Sequence, residues 1–173
     1  MTAKLLGATL IIFTAYCYGC SISAVYKNRV KRLEELLLSL EIFKAEINYG
    51  LSMLPEVFRS IGKRLHGPIG SLFGKSEEYM KLQAGFSAAD CWQKSLREKQ
   101  GELELDKDQM LLLHKMGLIW GKGDKSDQLR QVTFMQELLR QALQEAREAR
   151  EKNEKMWRYL GLLGGFTIVI LLL

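Results

Sequence analysis

Two long stretches without a charged side chain, one near each end, constrain most strongly how this chain can fold. The first runs from Leu5 to Tyr26 and the second from Tyr159 to Leu173. As a helix, the 22 residues of the first stretch would span about 33 Å, enough to cross a hydrocarbon layer about 30 Å thick. The pattern predicts an N-terminal transmembrane anchor over residues 1–26, a polar domain over 27–157 and a C-terminal transmembrane helix over 158–173.

Basic residues lie on the inner side of both stretches and give the predicted hairpin an orientation. Cytoplasmic flanks of membrane helices carry an excess of Lys and Arg, so both flanks predict that the domain is cytoplasmic. These residues are Lys27, Arg29, Lys31 and Arg32 after the first stretch, and Lys152, Lys155 and Arg158 before the second. The four after the first stretch supply much of the net charge of +5, so the basic composition is not evidence of nucleic-acid binding.

A cleaved secretion signal is the alternative interpretation of the first stretch. Its basic region would consist of Lys4 alone, and the apolar run is longer than such signals require. Gly19-Cys20 weakly resembles a lipoprotein cleavage site. An uncleaved anchor is favoured, and the alternative is a secreted or lipid-anchored helical adaptor that works outside the cytoplasm.

Small residues mark possible contacts between membrane helices. Ala15, Gly19 and Ser23 recur every four residues, and Gly161 and Gly165 form a G-x-x-x-G. Each set makes a shallow ridge that another helix could approach closely. The expected contact is with the other end of this chain, a neighbouring subunit or another membrane protein.

The polar middle has helical periodicity and no convincing alternation of period two. The predicted fold is all-α, a cytoplasmic six-helix bundle flanked by an N-terminal and a C-terminal transmembrane helix. The first helix is expected to end near Asn48 and the last to begin near Lys125. The four helices between them are expected to cover Met53–Leu65, Ile69–Leu82 (weakened by Gly70 and Gly74), Ser87–Lys99 and Asp106–Ile119.

Two of these helices carry further expectations. The segment from Asp106 to Ile119 is apolar on several faces, which predicts the central buried helix of the bundle. Glycine and proline are absent from Lys125 to Leu160. The last helix is therefore expected to continue unbroken into the second apolar stretch as a stiff stalk.

The sequence contains no recognisable catalytic or metal-binding motif. Gly121-Lys122 lacks the spacing of a phosphate-binding loop and follows a helix rather than a strand. His66 and His114 are far apart, and the Cys17-x-x-Cys20 pair lies inside an apolar run. No catalytic residue, metal, cofactor, small-molecule substrate or nucleic-acid partner is predicted, and a membrane-bound enzyme is kept only as a weak alternative.

Several motifs along nearly the whole chain resemble the stage III sporulation protein AB family. The chain departs from the family at the turn before the last helix, where Trp120 and Gly123 stand in place of Gly and Ser. The matching segments are Lys4 to Ala8, Leu40-Glu41, Glu46 to Gly50, Leu54 to Glu56, Ala89 to Trp92, Asp124 with Gln128, and Lys155 to Gly165.

The resemblance implies a membrane component of the channel complex between mother cell and forespore, located in the mother-cell membrane. The family's domain is similar to the cytoplasmic domains of type II secretion and type IV pilus platform proteins (GspF-like). The implied partners are the secretion-type ATPase of the same operon (SpoIIIAA) and other membrane proteins of the complex. Since platform proteins have two such domains and this chain has one, a homo-oligomer is also implied.

Six residues at two predicted turns are the candidates for a partner-binding surface. Glu46, Tyr49 and Gly50 lie at the first turn, and Lys122, Asp124 and Gln128 at the last. The competing interpretation is that these residues cap helices and hold the bundle together.

Overall fold

The computed structural model describes the backbone of residues 2–49, 53–82, 85–121 and 124–172. Side chains are described for residues 14, 17–18, 20–48, 53–82, 85–121, 124–156, 159 and 163. Throughout this part the chain is helical and has no strand, which confirms the all-α prediction. The six helices are α1 (Thr2–Tyr49), α2 (Leu54–Arg64), α3 (Pro68–Leu82), α4 (Ala88–Leu103), α5 (Lys107–Gly117) and α6 (Lys125–Leu172).

The first and last helices are much longer than the others, at 48 residues each. The prediction counted bundle helices and flanking helices separately, but α1 and α6 each combine both. No glycine or proline separates the two parts of α1 after Gly19, so nothing in the local sequence ends the helix there. The predicted stalk is likewise continuous through α6.

The chain divides into two compact units. One consists of residues 1–30 and 145–173, here called the terminal unit, and the other of residues 31–144, here called the bundle unit. In the described residues, no helix combines the length and the apolar character needed to cross a membrane. The two predicted transmembrane helices therefore find no support in that part of the chain.

Of the small residues predicted to pack in the membrane, one side chain is described. Ser23 is buried, with 8% of its surface exposed. Ala15, Gly19, Gly161 and Gly165 lie outside the residues whose side chains are described, so the predicted ridges stay predictions.

Local capping explains where the short helices begin. Ser87 Oγ accepts the backbone N–H of Asp90 at 3.1 Å, and the Asp90 carboxylate accepts the N–H of Ser87 at 3.2 Å. Asp106 and Gln109 make the same reciprocal pair at the start of α5, at 2.9 and 3.2 Å. Because each pair satisfies amide groups that the first turn leaves unbonded, both helix starts follow from the sequence.

Five aromatic side chains form the centre of the bundle unit. Each comes from a different segment, and their ring centroids lie 4.7–6.3 Å apart, mostly edge to face, which is the favourable range for aromatic pairs. All five are at most 2% exposed. They are Phe43 of α1, Phe58 of α2, Phe73 of α3, Trp92 of α4 and Trp120 of the turn after α5.

This cluster replaces the central buried helix that the sequence predicted. Helix α5 buries Leu113 and Met116, but Leu111 is 51% exposed, so the helix lies at the periphery. The helix supplies a hydrogen-bond acceptor to one ring of the cluster, since the Trp92 indole N–H donates to the carbonyl of Leu113 at 2.8 Å. The prediction was wrong because large aromatic rings from several segments fill the centre more effectively than one aliphatic helix.

Glycine lets α2 and α3 approach closely. A Cβ on Gly70 would overlap the backbone carbonyl of Leu65, whereas a Cβ on Gly74 of the same helix would meet nothing within 4 Å. Gly62 of α2 faces the backbone of both glycines. Although the sequence predicted a helix weakened by both glycines, α3 is continuous from Pro68 to Leu82. Gly70 is required for the tight turn between α2 and α3, whereas no contact requires Gly74 to be glycine.

Because of the aromatic cluster, we expect two phenylalanine substitutions to change the free energy of unfolding by very different amounts. Phe58→Ala should lower the free energy of unfolding by about 3–5 kcal/mol, because it removes a fully buried ring and leaves a cavity. Phe86→Ala is the matched control, since Phe86 is 60% exposed, and should change that free energy by at most about 0.5 kcal/mol. Urea unfolding followed by circular dichroism measures both, and equal effects would contradict the proposed centre.

Alanine substitutions of the two glycines of α3 provide a second matched pair of stability measurements. Gly70→Ala should destabilise the fold by about 1–3 kcal/mol, because the rigid Leu65 carbonyl cannot move aside. Gly74→Ala should stabilise it by about 0.5–1 kcal/mol, since alanine is the better helix former and the space is open. Opposite signs in thermal unfolding are the expected result, and a stabilising Gly70→Ala would exclude the close approach.

Candidate partner-binding surface

One end of the bundle unit gathers the turns that carry the predicted surface residues. The Nζ of Lys125, the first residue of α6, donates to the carbonyl of Asn48 near the end of α1 at 3.0 Å. A Cβ on Gly121 would lie 3.6 Å from the Cβ of Ala88 and 3.8 Å from Leu54 Cδ2. The turn after α5 therefore lies against the first turns of α2 and α4. We call this region the loop end, formed by the described residues of 46–54, 82–88 and 118–128.

The structure gives Glu46 a role in holding α1 to α2. Its carboxylate accepts the hydroxyl of Ser60 at 2.7 Å and lies 3.5 Å from Arg64 Nη2. Both partners belong to α2, and Glu46 is only partly exposed. Of the two interpretations of Glu46, the contacts favour the structural one.

Asp124 caps the start of α6. Its Oδ1 accepts the backbone N–H of Asp127 at 2.8 Å and the hydroxyl of Ser126 at 3.0 Å. Its carbonyl accepts the N–H of Gln128 at 3.0 Å. The backbone bond from Asp127, followed by the bond from Ser126, lowers the pKa of the Asp124 carboxyl, since both favour the charged form.

The remaining predicted residues divide into two groups. Gln128 is described and half-buried in the first turn of α6. Gly50 and Lys122 lie outside the described residues, and so does the side chain of Tyr49. The structure thus brings Glu46, Asp124 and Gln128 to the same end of the bundle unit, as a shared surface requires.

The loop end carries exposed apolar side chains that the sequence analysis did not predict as part of a surface. Met53 is 74% exposed, Leu82 71%, Phe86 60% and Leu118 55%. Each adjoins a helix end, where the apolar periodicity of the helix no longer indicates burial. The available signal was their position beside turn residues. Apolar side chains that remain in water at neighbouring turns commonly mark an interaction site.

A separate surface groove of about 640 Å³ lies among α2, α3 and α4 and has charged walls of both signs. Lys75 Nζ donates to Glu78 at 3.0 Å, and this bond raises the pKa of Lys75. The Tyr79 hydroxyl donates to Glu98, which raises the pKa of Tyr79. The Lys75 ammonium and the Glu98 carboxylate in the groove wall are therefore each already hydrogen-bonded to a neighbouring side chain.

Cys91 and the acidic residues provide no second site in the described part of the chain. No group of three or more His, Cys, Asp or Glu side chains there could hold a metal ion. Cys91 is 1% exposed, and burial raises the pKa of its thiol. A buried thiol of this kind is unreactive.

The chain belongs to the stage III sporulation protein AB family, whose profile matches residues 4–173. It is 29% identical over 170 residues to stage III sporulation protein AB of Bacillus subtilis (strain 168), covering 98% of this chain and 99% of that protein. A solved structure of stage III sporulation protein AB (SpoIIIAB) superimposes with a TM-score of 0.67 at 25% identity, covering 72% of this chain and 98% of that one. The chain therefore has a role in sporulation.

The Asp124 cap predicts a pH-dependent contribution to stability. Because the folded-state pKa is lowered, the contribution is complete above the ordinary carboxyl range and is lost as pH falls through the folded-state value. Asp124→Ala should therefore lower the free energy of unfolding near pH 7 and have a much smaller effect near pH 2. Asp124→Asn retains a capping oxygen and should keep most of the stability near pH 7.

Urea titrations of the three proteins at both pH values measure this difference. An Asp124→Ala variant as stable as the parent near pH 7 would contradict the capping role.

Proposed function

We propose that the chain is a non-enzymatic platform subunit of the channel complex between mother cell and forespore. In this proposal the terminal unit is anchored in the mother-cell membrane and the bundle unit lies in the mother-cell cytoplasm. The observation that carries the proposal is membership of the sporulation family over residues 4–173, together with helices that run from the bundle unit into the apolar ends.

Exposed side chains of the terminal unit support anchoring in lipid. Tyr18 is 69% exposed, Tyr159 66%, Leu163 61% and Val25 41%. In water these apolar surfaces would be unfavourable, whereas outward-facing apolar and tyrosine side chains suit a lipid environment and its interface. The basic residues at 27–32 and 152–158 adjoin them on the side that is proposed to be cytoplasmic.

The loop end supports a docking role in the cytoplasm. Its exposed side chains, Met53, Leu82, Phe86 and Leu118, resemble the apolar centre of a protein interface rather than a solvated surface. We assign the secretion-type ATPase of the operon (SpoIIIAA) as the partner, by similarity to secretion platforms. Since α6 begins beside this surface and extends into the terminal unit, the helix would couple ATPase docking to the membrane components.

Membrane topology is the first test of this proposal. A reporter enzyme that works only in the cytoplasm is inserted after Glu104 in the full chain. The reporter should be active, and the intact mass of the chain should show an uncleaved N-terminus. Accessibility of the reporter from outside, or loss of the first 19 residues before Cys20, would instead support the secreted or lipid-anchored adaptor.

Binding to the ATPase tests the loop end. Phe86→Glu in the full chain, reconstituted in nanodiscs, should weaken binding of the purified ATPase at least about tenfold, since it places a charge in an apolar interface. Leu111→Glu is the matched control, because Leu111 is exposed on α5 away from the loop end, and should bind like the parent.

Two results would count against the proposal in different ways. Equal binding by Phe86→Glu and the parent would remove the loop end as the docking surface. No binding by the parent itself would argue against the ATPase as partner.

A further inference from the structure

One face of helix α6 is exposed where the helix runs through the terminal unit. Its residues follow the first one at intervals of three, four, seven and eleven positions. They therefore lie on one side of the helix, because each helical residue advances by about 100°. Ala146, about a third of a turn away, is buried. We call this face the basic–apolar stripe, formed by Lys152, Lys155, Met156, Tyr159 and Leu163.

The stripe changes from basic to apolar along the helix. The two lysines are exposed and come first. They are followed by Met156, which is 41% exposed, Tyr159, which is 66% exposed, and Leu163, which is 61% exposed. From Lys155 to Leu163 the helix rises by about 12 Å, close to the hydrocarbon depth of one leaflet, about 15 Å. A glycerophospholipid has the same order over the same length, with a charged phosphate followed by apolar chains.

The two lysines are available to an anionic ligand, whereas the described arginines of the same segment are not. Arg150 Nε donates to Glu154 Oε2 at 3.1 Å, which occupies both charges. Arg147 also has a partner. Lys152 and Lys155 make no ion pair or hydrogen bond through their side chains with the described residues. The positive charge of the stripe is therefore free to meet a phosphate.

The carboxylates of this face lie on the side of the lysines that is away from the apolar residues. Glu148 and Glu151 precede the two lysines by four residues each, and no Asp or Glu follows Glu154 in the chain. Glu148 has another interaction in the structure, which leaves Glu151 as the nearest competitor. An anionic group that approaches along the apolar part of the stripe therefore reaches both ammonium groups before any carboxylate of this face.

We propose that the basic–apolar stripe binds an anionic glycerophospholipid of the cytoplasmic leaflet, with its phosphate at the two lysines and one acyl chain along the apolar residues. The proposal rests on the proposed function, since it requires this end of α6 to lie in a bilayer. Lysine suits the phosphate because its ammonium is a compact charge with three hydrogen-bond donors. Tyrosine is a common side chain at the depth where headgroup and acyl chain meet.

Quenching of tryptophan fluorescence tests the lipid class. The full chain is reconstituted in nanodiscs of phosphatidylcholine and phosphatidylglycerol in which only one of the two lipids carries brominated acyl chains. Trp157 adjoins Met156 in the chain, whereas Trp92 and Trp120 are buried in the bundle unit, so bromine in the bilayer reports on Trp157. The quenching should show phosphatidylglycerol enriched beside Trp157 at least about fivefold, the factor expected of a single lysine near an anionic surface.

Paired variants separate a lipid site from general attraction to the membrane surface. Lys152→Gln with Lys155→Gln should lower the enrichment at least about threefold. Lys27→Gln with Lys31→Gln removes the same charge from exposed lysines of α1 and should leave the enrichment within about twofold of the parent's. Glu151→Gln should raise the enrichment, because it removes the competing carboxylate.

Three results would overturn the lipid site. Equal reductions by the two lysine pairs would show a diffuse attraction in its place. Enrichment that is absent from the parent, whether or not it appears in Glu151→Gln, would show that the lysines of the parent hold no lipid. Loss of enrichment when sodium phosphate replaces sodium chloride at equal ionic strength would assign the lysines to free phosphate.

The same quenching distinguishes failure of this proposal from failure of the proposed function. Quenching of similar strength by both brominated lipids would leave α6 in the bilayer and remove only the preference for anionic lipid. No quenching by either lipid would show that this end of α6 lies outside the bilayer, and would overturn the proposed function together with the lipid site.

Discussion

The five-ring aromatic cluster is the interaction on which the remainder of the bundle unit depends. Each of the first four helices contributes one buried ring, namely Phe43, Phe58, Phe73 and Trp92. The fifth ring, Trp120, lies in the turn between α5 and α6. Phe58 contacts three of the other rings, at 5.1 Å to Phe73, 5.9 Å to Trp92 and 5.1 Å to Trp120. Because these edge-to-face contacts are directional, the cluster sets the positions of the helices relative to one another and does more than fill space.

The cluster also determines where the loop end forms. Trp120 draws the turn after α5 into the core, and Gly121 then passes over the first turns of α2 and α4. The apolar side chains of that end, Met53, Leu82, Phe86 and Leu118, are exposed around this turn. A surface suited to docking is thus a consequence of how the interior is packed.

Local signals in the sequence accounted for most of the helices, because their causes are local. The pairs Ser87–Asp90 and Asp106–Gln109 make the bonds that capping patterns require, and the apolar period of α6 matches the burial of Val132 and Leu139. The cap that Asp124 makes at the start of α6 is local in the same way, whereas the hydrogen bond of Glu46 to Ser60 depends on a contact that only the folded chain defines.

The features that sequence reasoning missed are all tertiary. Aromatic residues separated by 15 to 28 positions have no periodicity that would unite them, so their cluster could not be foreseen. The exposure of Phe86 likewise depends on what occupies the adjacent core. The prediction that α5 is central failed for the same reason, since apolar content measures a preference for burial and not the place where burial occurs.

The position of Cys91 beside Trp92 has a consequence for how the protein can be observed. Its thiol is buried, whereas Cys17 is exposed in the terminal unit. A water-soluble thiol reagent would reach Cys17 only where lipid does not cover the terminal unit, and would reach Cys91 only when the bundle unit opens. The native cysteines thus form a built-in pair of reporters, one for the environment of the apolar end and one for the integrity of the core.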